Sequence, residues 1–247
     1  MKYIAFILLF TYTLMSCKKQ SETIAITDIK EYYPLQLGRV WLYRLDSTRV
    51  INFVVFSTAS YLEKDTVVGR YNDAQGRTAY ILNRFVTDTL QSQPFQFSES
   101  YTVVFDKDKI EFVDGANRRF IKLVNPVSIY TTWNGNSYLE DSIQNVITQN
   151  TTYNGWVYQY TSTEQPYSVL GNTYPNTCTI LQKSDSSGAF NPNILSYKTY
   201  SSEVYAKGVG LINKDFIAYF WQTTPTPAYE DGSFGIKLKL ISYNKGF

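Results

Sequence analysis

From residue 40 onward the chain alternates short apolar runs with clusters of turn-forming residues. Residues 40–45, 50–56, 78–86, 101–105, 109–113 and 119–124 are short, aromatic and β-branched, and each reads as a strand. The same holds for 155–161, 178–182, 196–205, 216–221 and 235–243. The last run alternates cleanly. Ile236, Leu238, Leu240 and Ser242 fall on one face, and Lys237, Lys239, Ile241 and Tyr243 on the other. That period of two belongs to a sheet with one wet face. Between the runs lie hairpin-type segments such as 71–76 (YNDAQG) and 113–117 (VDGAN). No window keeps a 3.6-residue apolar stripe through three helical turns. About a dozen strands in one chain suit a sandwich, a barrel or an open half-barrel. The expectation is an all-β, mainly antiparallel sheet, an open half-barrel or sandwich, whose halves form two similar lobes of one continuous domain over residues 31–247.

An internal echo supports the two lobes. Pro34 and Trp41 stand seven residues apart, as do Pro126 and Trp133, and a partial third echo begins at Trp156. The echo reads as a proline-started strand whose Trp plugs the core at the beginning of each half, with a repeated ligand-stacking Trp as the alternative.

Composition narrows the chemistry. The chain has 247 residues, 23 Lys+Arg against 21 Asp+Glu, two Cys and no His. Without His there is no His-dependent nucleophile pair, imidazole ligand or imidazole pH switch. A net charge of +2 is too small to steer the chain onto nucleic acid. Cys178 sits in a strand-like run, TCTIL, where a buried inert thiol is expected.

The first residues carry an address. Lys2 precedes an apolar stretch over 4–14 that is far short of the ~20 residues a membrane span needs. Leu14-Met15-Ser16-Cys17 follows and resembles a bacterial lipobox, with an aliphatic residue at −3, a small one at −1 and Cys at +1. The resemblance implies a signal peptide over 1–16, lipidation of Cys17 (palmitate or a similar acyl group) and a tether over 17–30. Several acyl chains on one Cys hold firmly where one holds only reversibly. Lys18, directly after Cys17, does not resemble the Asp that retains enterobacterial lipoproteins in the inner membrane, and residues 18–22 (KKQSE) are less acidic than typical surface-export signals in Bacteroidota; outer-membrane anchoring is expected, on either the periplasmic or the surface face.

A Tyr32–Tyr43 opening of the form YYPLxxGxxWxY, the segment Trp133-Asn-Gly-Asn136 and Tyr205-Ala-Lys-Gly-Val-Gly-Leu211 are similar to Bacteroidota-type outer-membrane lipoproteins of unknown function. More distantly, an N-anchored all-β chain of this size resembles the LolA/LolB half-barrel lipoprotein carriers. Those hold acyl chains in an apolar concavity under helices, a cover this sequence lacks.

Candidate chemistry is sparse. Lys207-Gly-Val-Gly210 lacks the residues of a phosphate cradle and reads as a bulge or close crossing. Glu140-Asp141 and Glu230-Asp231 are acidic pairs in turn-rich surroundings. Asp106-Lys-Asp108 and the 71–76 segment suggest hairpin turns rather than Ca²⁺ loops. Asp65-Thr-Val67, Asp88-Thr-Leu90 and Asp141-Ser-Ile143 match the Asp-Ser/Thr-aliphatic pattern of O-glycosylation in exported Bacteroidota proteins. Tyr153, Trp156, Tyr158, Tyr160 and Tyr167 cluster in a Thr/Asn/Gln-rich setting, as a binding platform for a glycan or protein partner or as ordinary cross-strand aromatic pairs. No catalytic residue, cofactor or metal site is assigned. The expected function is a non-catalytic envelope lipoprotein acting as a binding or interaction module, with a membrane anchor and a glycan, lipid or envelope-protein partner. The alternatives are a lipid or lipoprotein carrier with an apolar groove, or a carboxylate-dependent glycan hydrolase.

Overall fold

Strands with one apolar face must bury those faces against one another, and here a single sheet does so by rolling up. The computed structural model describes residues 28–51, 55–139, 155–224, 226–230 and 232–246. Its strands are β1 (Val40–Ile51), β2 (Val55–Asn72), β3 (Thr78–Asp88), β4 (Gln96–Phe105), β5 (Lys109–Val113), β6 (Arg119–Val124) and β7 (Thr132–Asn134). They continue as β8 (Val157–Val169), β9 (Asn172–Ser186), β10 (Ser196–Ala206), β11 (Gly210–Gln222), β12 (Ala228–Tyr229) and β13 (Phe234–Tyr243). Among the described residues there is no α-helix, only a 3-10 turn at Ile29–Tyr32.

The sheet is an up-and-down meander. Neighbours in sequence pair antiparallel from β1 to β6 and from β7 to β11, β11 pairs with β13, and β13 returns to β1. β12 is a short ribbon on β11. The result is the expected all-β antiparallel sheet in one continuous domain, nearly closed as a barrel. One seam, between β6 and β7, lacks a strand ladder.

That seam is held by side chains and one backbone bond. Ile121 N–H donates to Gly135 O at 2.7 Å, and Trp133 Nε1 donates to Ile121 O at 2.9 Å. The Tyr160 hydroxyl accepts from Val124 N–H at 3.1 Å and donates to Val124 O at 2.9 Å, standing in for a missing strand partner. Tyr158 donates to the buried Asn136 side chain at 2.8 Å, and a methyl group at Gly135 would overlap the Tyr158 ring. The Trp133-Asn-Gly-Asn136 segment is therefore the seam's fastening.

The opposite joint uses the other echo. Trp41, on the first strand of the first half, donates its indole N–H to Val209 O at 2.7 Å, as Trp133 on the first strand of the second half donates to Ile121 O. The N-terminal segment floors this end of the barrel. Ile29 and Tyr32 are buried, and the 3-10 turn touches both β5 and β11. Glu31 O accepts from Gly208 N–H, and Arg39 donates to Gly208 O and Val209 O. Gly210 has φ +110°, and an added Cβ would press on the Trp41 indole, so glycine is required there. The Tyr205–Leu211 segment is thus a seat for the N-terminal floor and not a phosphate cradle.

Two sequence expectations change. The run 50–56 is the hairpin joining β1 to β2, with Val50 opposite Phe56 and Ile51 opposite Val55. The long strand β2, which holds Glu63, Lys64 and Asp65, was not foreseen.

Tyr160→Phe tests the seam. Losing the hydroxyl strands both Val124 groups, and about 1–3 kcal/mol of stability should disappear in denaturant unfolding. The Val124 amide should also exchange faster; unchanged exchange would show that the seam does not rest on this hydroxyl.

Candidate functional site

Alternation along the strands turns several charged side chains into the barrel. Glu63 and Asp65 on β2 are buried, with Val67 next on the same face. They meet Arg84 on β3, whose Nε and Nη2 form a bidentate pair with Asp65 at 2.9 Å each. Its Nη1 donates to Glu99 of β4 at 3.0 Å, and Tyr101 donates to Asp65 at 2.7 Å. Glu63 Oε1 lies 3.1 Å from Arg84 Nε, but that N–H is spent on Asp65, so the oxygen makes no hydrogen bond.

A second cluster lies on β6, β10 and β11. Lys122 Nζ contacts Glu203 Oε1 at 2.7 Å, Lys214 Nζ approaches the same oxygen at 3.5 Å, and Tyr205 donates to Glu203 Oε2 at 2.8 Å. Burial alone would raise the Glu203 carboxyl, but the two ammonium groups outweigh it and hold it at about 2. Burial lowers the Lys122 ammonium against the pull of Glu203. It pushes the Glu63 carboxyl up to about 7; Arg84 and Lys214 pull the other way, while Asp65 and Glu99 add to the rise.

The two clusters wall two adjoining compartments inside the barrel. The inner one, about 170 Å³, lies above the floor between Tyr33, Trp41, Tyr43 and Tyr205, with Glu63, Asp65, Arg84, Lys122, Glu203 and Lys214 in its walls. The outer one, about 240 Å³ and more open to solvent, shares Arg84, Phe112, Lys122, Lys214 and Ile236 with the first. It adds Glu99, Trp156, Tyr158, Gln182, Ser201, Phe216 and Phe234. Both far exceed the ~10–15 Å³ that one water needs. Gln182 is buried, its Oε1 accepts from Ser201 at 2.6 Å, and its Nε2 has no hydrogen-bond partner.

The aromatic candidates separate. Trp156, Tyr158 and Tyr160 are buried inside the barrel and not on an outer platform. Trp156 and Tyr158 line the outer compartment, Tyr160 fastens the seam, and Tyr167 is half-buried against the core. Tyr153 lies outside the described residues, as do Cys17, residues 1–27, Glu140-Asp141, Asp231 and Asp141-Ser-Ile143. Glu230 lies just after β12. Asp65 is locked to Arg84 inside the barrel, whereas Asp88 closes an exposed turn by accepting from Leu90 and Ser92 N–H. Asp73 is held by Arg77, and Asp106 closes a hairpin onto Lys109 O. Among the described residues no group of three or more His, Cys, Asp or Glu could hold a metal ion. Cys178 is fully buried, and burial pushes its thiol well up.

Sequence reasoning missed Glu63, Arg84, Glu99, Lys122, Gln182, Glu203 and Lys214. The available signal was a charge in step with apolar neighbours, as in Tyr80, Leu82, Arg84 or Ser201, Glu203, Tyr205. Comparison with protein-family models, curated proteins and solved structures finds no match for this chain. Among the described residues no helix is long and apolar enough to cross a membrane. The site is therefore read from its own chemistry.

Glu63 gives that chemistry a pH signature. Its folded value lies above the ordinary 4.5, so its contribution to stability is full below that value and is lost as pH rises through about 7. Glu203, held low, acts oppositely, and its contribution is lost as pH falls through about 2. Glu63→Gln removes the first effect. Thermal unfolding from about pH 5 to pH 8 should show a smaller decline in Tm for the variant than for the parent chain; parallel profiles would refute the assignment.

Proposed function

We propose that this chain is a lipid-anchored outer-membrane protein that binds a small polar ligand inside its barrel without transforming it. The observation that carries the reading is the charged two-compartment lumen, in which two buried polar atoms, Glu63 Oε1 and Gln182 Nε2, lack a hydrogen-bond partner. Buried polar groups are normally satisfied, and those left over beside a cavity favour an absent partner. Aromatic rings of Trp156, Phe216 and Phe234 supply apolar contact next to these charges.

The charged walls weigh against an acyl-chain carrier, because a lipid tail would desolvate Arg84, Lys122 and Glu203 without pairing them. They also favour holding over turnover. Each lumen carboxylate is engaged by a cation: Glu63, Asp65 and Glu99 by Arg84, Asp114 by Arg118, and Glu203 by Lys122 and Lys214. The lipobox at Leu14–Cys17 supports the anchor.

Two experiments test this. In the native host, Cys17→Ser should move the protein from the membrane fraction to the soluble one; continued membrane association would overturn the anchor. Native mass spectrometry of the Cys17→Ser protein, exported and purified without detergent, should show a small polar ligand. A clean apo mass, or a lipid mass, would overturn the lumen reading.

A further inference from the structure

The two ion clusters do not balance. On the β2–β4 wall three carboxylates, Glu63, Asp65 and Glu99, share one guanidinium. On the β6, β10 and β11 wall two ammonium groups, Lys122 and Lys214, share one carboxylate. Each wall keeps a leftover charge, and the two leftovers have opposite sign. Glu99 and Lys214 reach water, but Glu63 is almost wholly buried, and charge there is costly unless something pairs it.

Both walls face the same cavity. Glu63 and Lys214 line the inner compartment, and Glu99 and Lys214 line the outer one. The unpartnered atoms follow the same polarity. Glu63 Oε1, on the acidic wall, lacks a donor, and Gln182 Nε2, beside Ser201 in the outer compartment, lacks an acceptor. A ligand that completes both offers a donor at one end and an acceptor at the other, and the leftover charge of each wall favours a cationic donor and an anionic acceptor. Phe216 and Phe234 leave an apolar surface in the outer compartment for whatever joins them.

We propose that the lumen takes a small zwitterion, an amino acid or short peptide, with its ammonium against Glu63 and Glu99 and its carboxylate against Lys214 and Gln182. This rests on the reading of the lumen as a ligand site and names the class of ligand. Burial, with Asp65 and Glu99 beside it, raises the Glu63 carboxyl in spite of Arg84 and Lys214.

Isothermal titration calorimetry on the Cys17→Ser protein separates the two claims. The probes are the dipeptides Ala-Phe, Ala-Glu and Ala-Lys, the singly capped N-acetyl-Ala-Phe and Ala-Phe-amide, the doubly capped N-acetyl-Ala-Phe-amide, and maltose as a neutral polar control. At least one free dipeptide should bind, and capping both termini should weaken it about 10-fold or more. Lys214→Met should remove most of the dependence on the free carboxylate and keep the dependence on the free amine, with Lys214→Gln as a second variant. Ser201→Leu, which fills the outer compartment, should abolish binding, and thermal unfolding checks that each variant is folded. If capped and free peptides bind alike, or maltose alone binds, and Ser201→Leu still abolishes it, the zwitterion is wrong and the lumen site stands. If binding ignores Ser201→Leu, the lumen reading falls as well. No binding of any dipeptide at millimolar concentration overturns the zwitterion.

Discussion

The hydrogen-bonded ladder runs round this barrel everywhere except between β6 and β7, so the closed shape depends on what holds β6 in place. Trp133, Tyr160 and Ile121 hold it along its edge, and Lys122 holds it from within, reaching to Glu203 on β10. That ion pair has two consequences. It ties the seam strand to a strand of the far half, and it occupies the one carboxylate that Lys214 would otherwise neutralise fully. Barrel closure and lumen polarity are therefore set by the same contact.

Charges inside a β-barrel are a poor way to gain stability. A well-packed apolar interior of equal volume is often as stable or more so, because desolvation cancels much of the ion-pair attraction. The chain nonetheless surrounds Arg84 and Glu203 with partners while filling the floor with Ile29, Tyr32, Trp41 and Leu240. The apolar residues concentrate at the end that is sealed and the charged ones where space remains. Such a division is expected when rigidity is needed below and polar contact above.

Much of the architecture was legible in the sequence. The strict alternation in β13 puts Leu238 and Leu240 inside, and the paired Pro-to-Trp spacings mark the first strand of each half. The Asp-bearing turns at 73–77 and 114–118 close hairpins, as their turn chemistry indicates. The strand that escaped notice is the one that carries the site. In β2 the period of two is intact, with Glu63, Asp65 and Val67 turned inward, but charge on the inner face makes the segment read as polar. Direction was hidden for a related reason. Trp156, Tyr158 and Tyr160 lie among Thr, Gln and Asn, and neither face of that strand is apolar enough to tell inside from outside. Pairings between remote strands, such as Lys122 with Glu203, have no local trace at all.

The floor joins the first strand of the barrel to the last. The Asn244 side chain accepts from the Val40 amide 204 residues away, β1 closes on β13, and the 3-10 turn rests on the β10–β11 turn. None of these contacts exists until the last strands of the barrel have been made. A chain with this topology has a high mean sequence separation between partners, and such chains fold slowly. If it is exported as the lipobox implies, its first strand reaches the far side of the membrane long before its last. The early strands must then wait with an apolar face and an open edge, a state prone to wrong association. Turning charged Glu63, Asp65 and Arg84 into that waiting face makes the half-made sheet less adhesive than an all-apolar one would be, so the residues that shape the finished cavity also guard the unfinished chain.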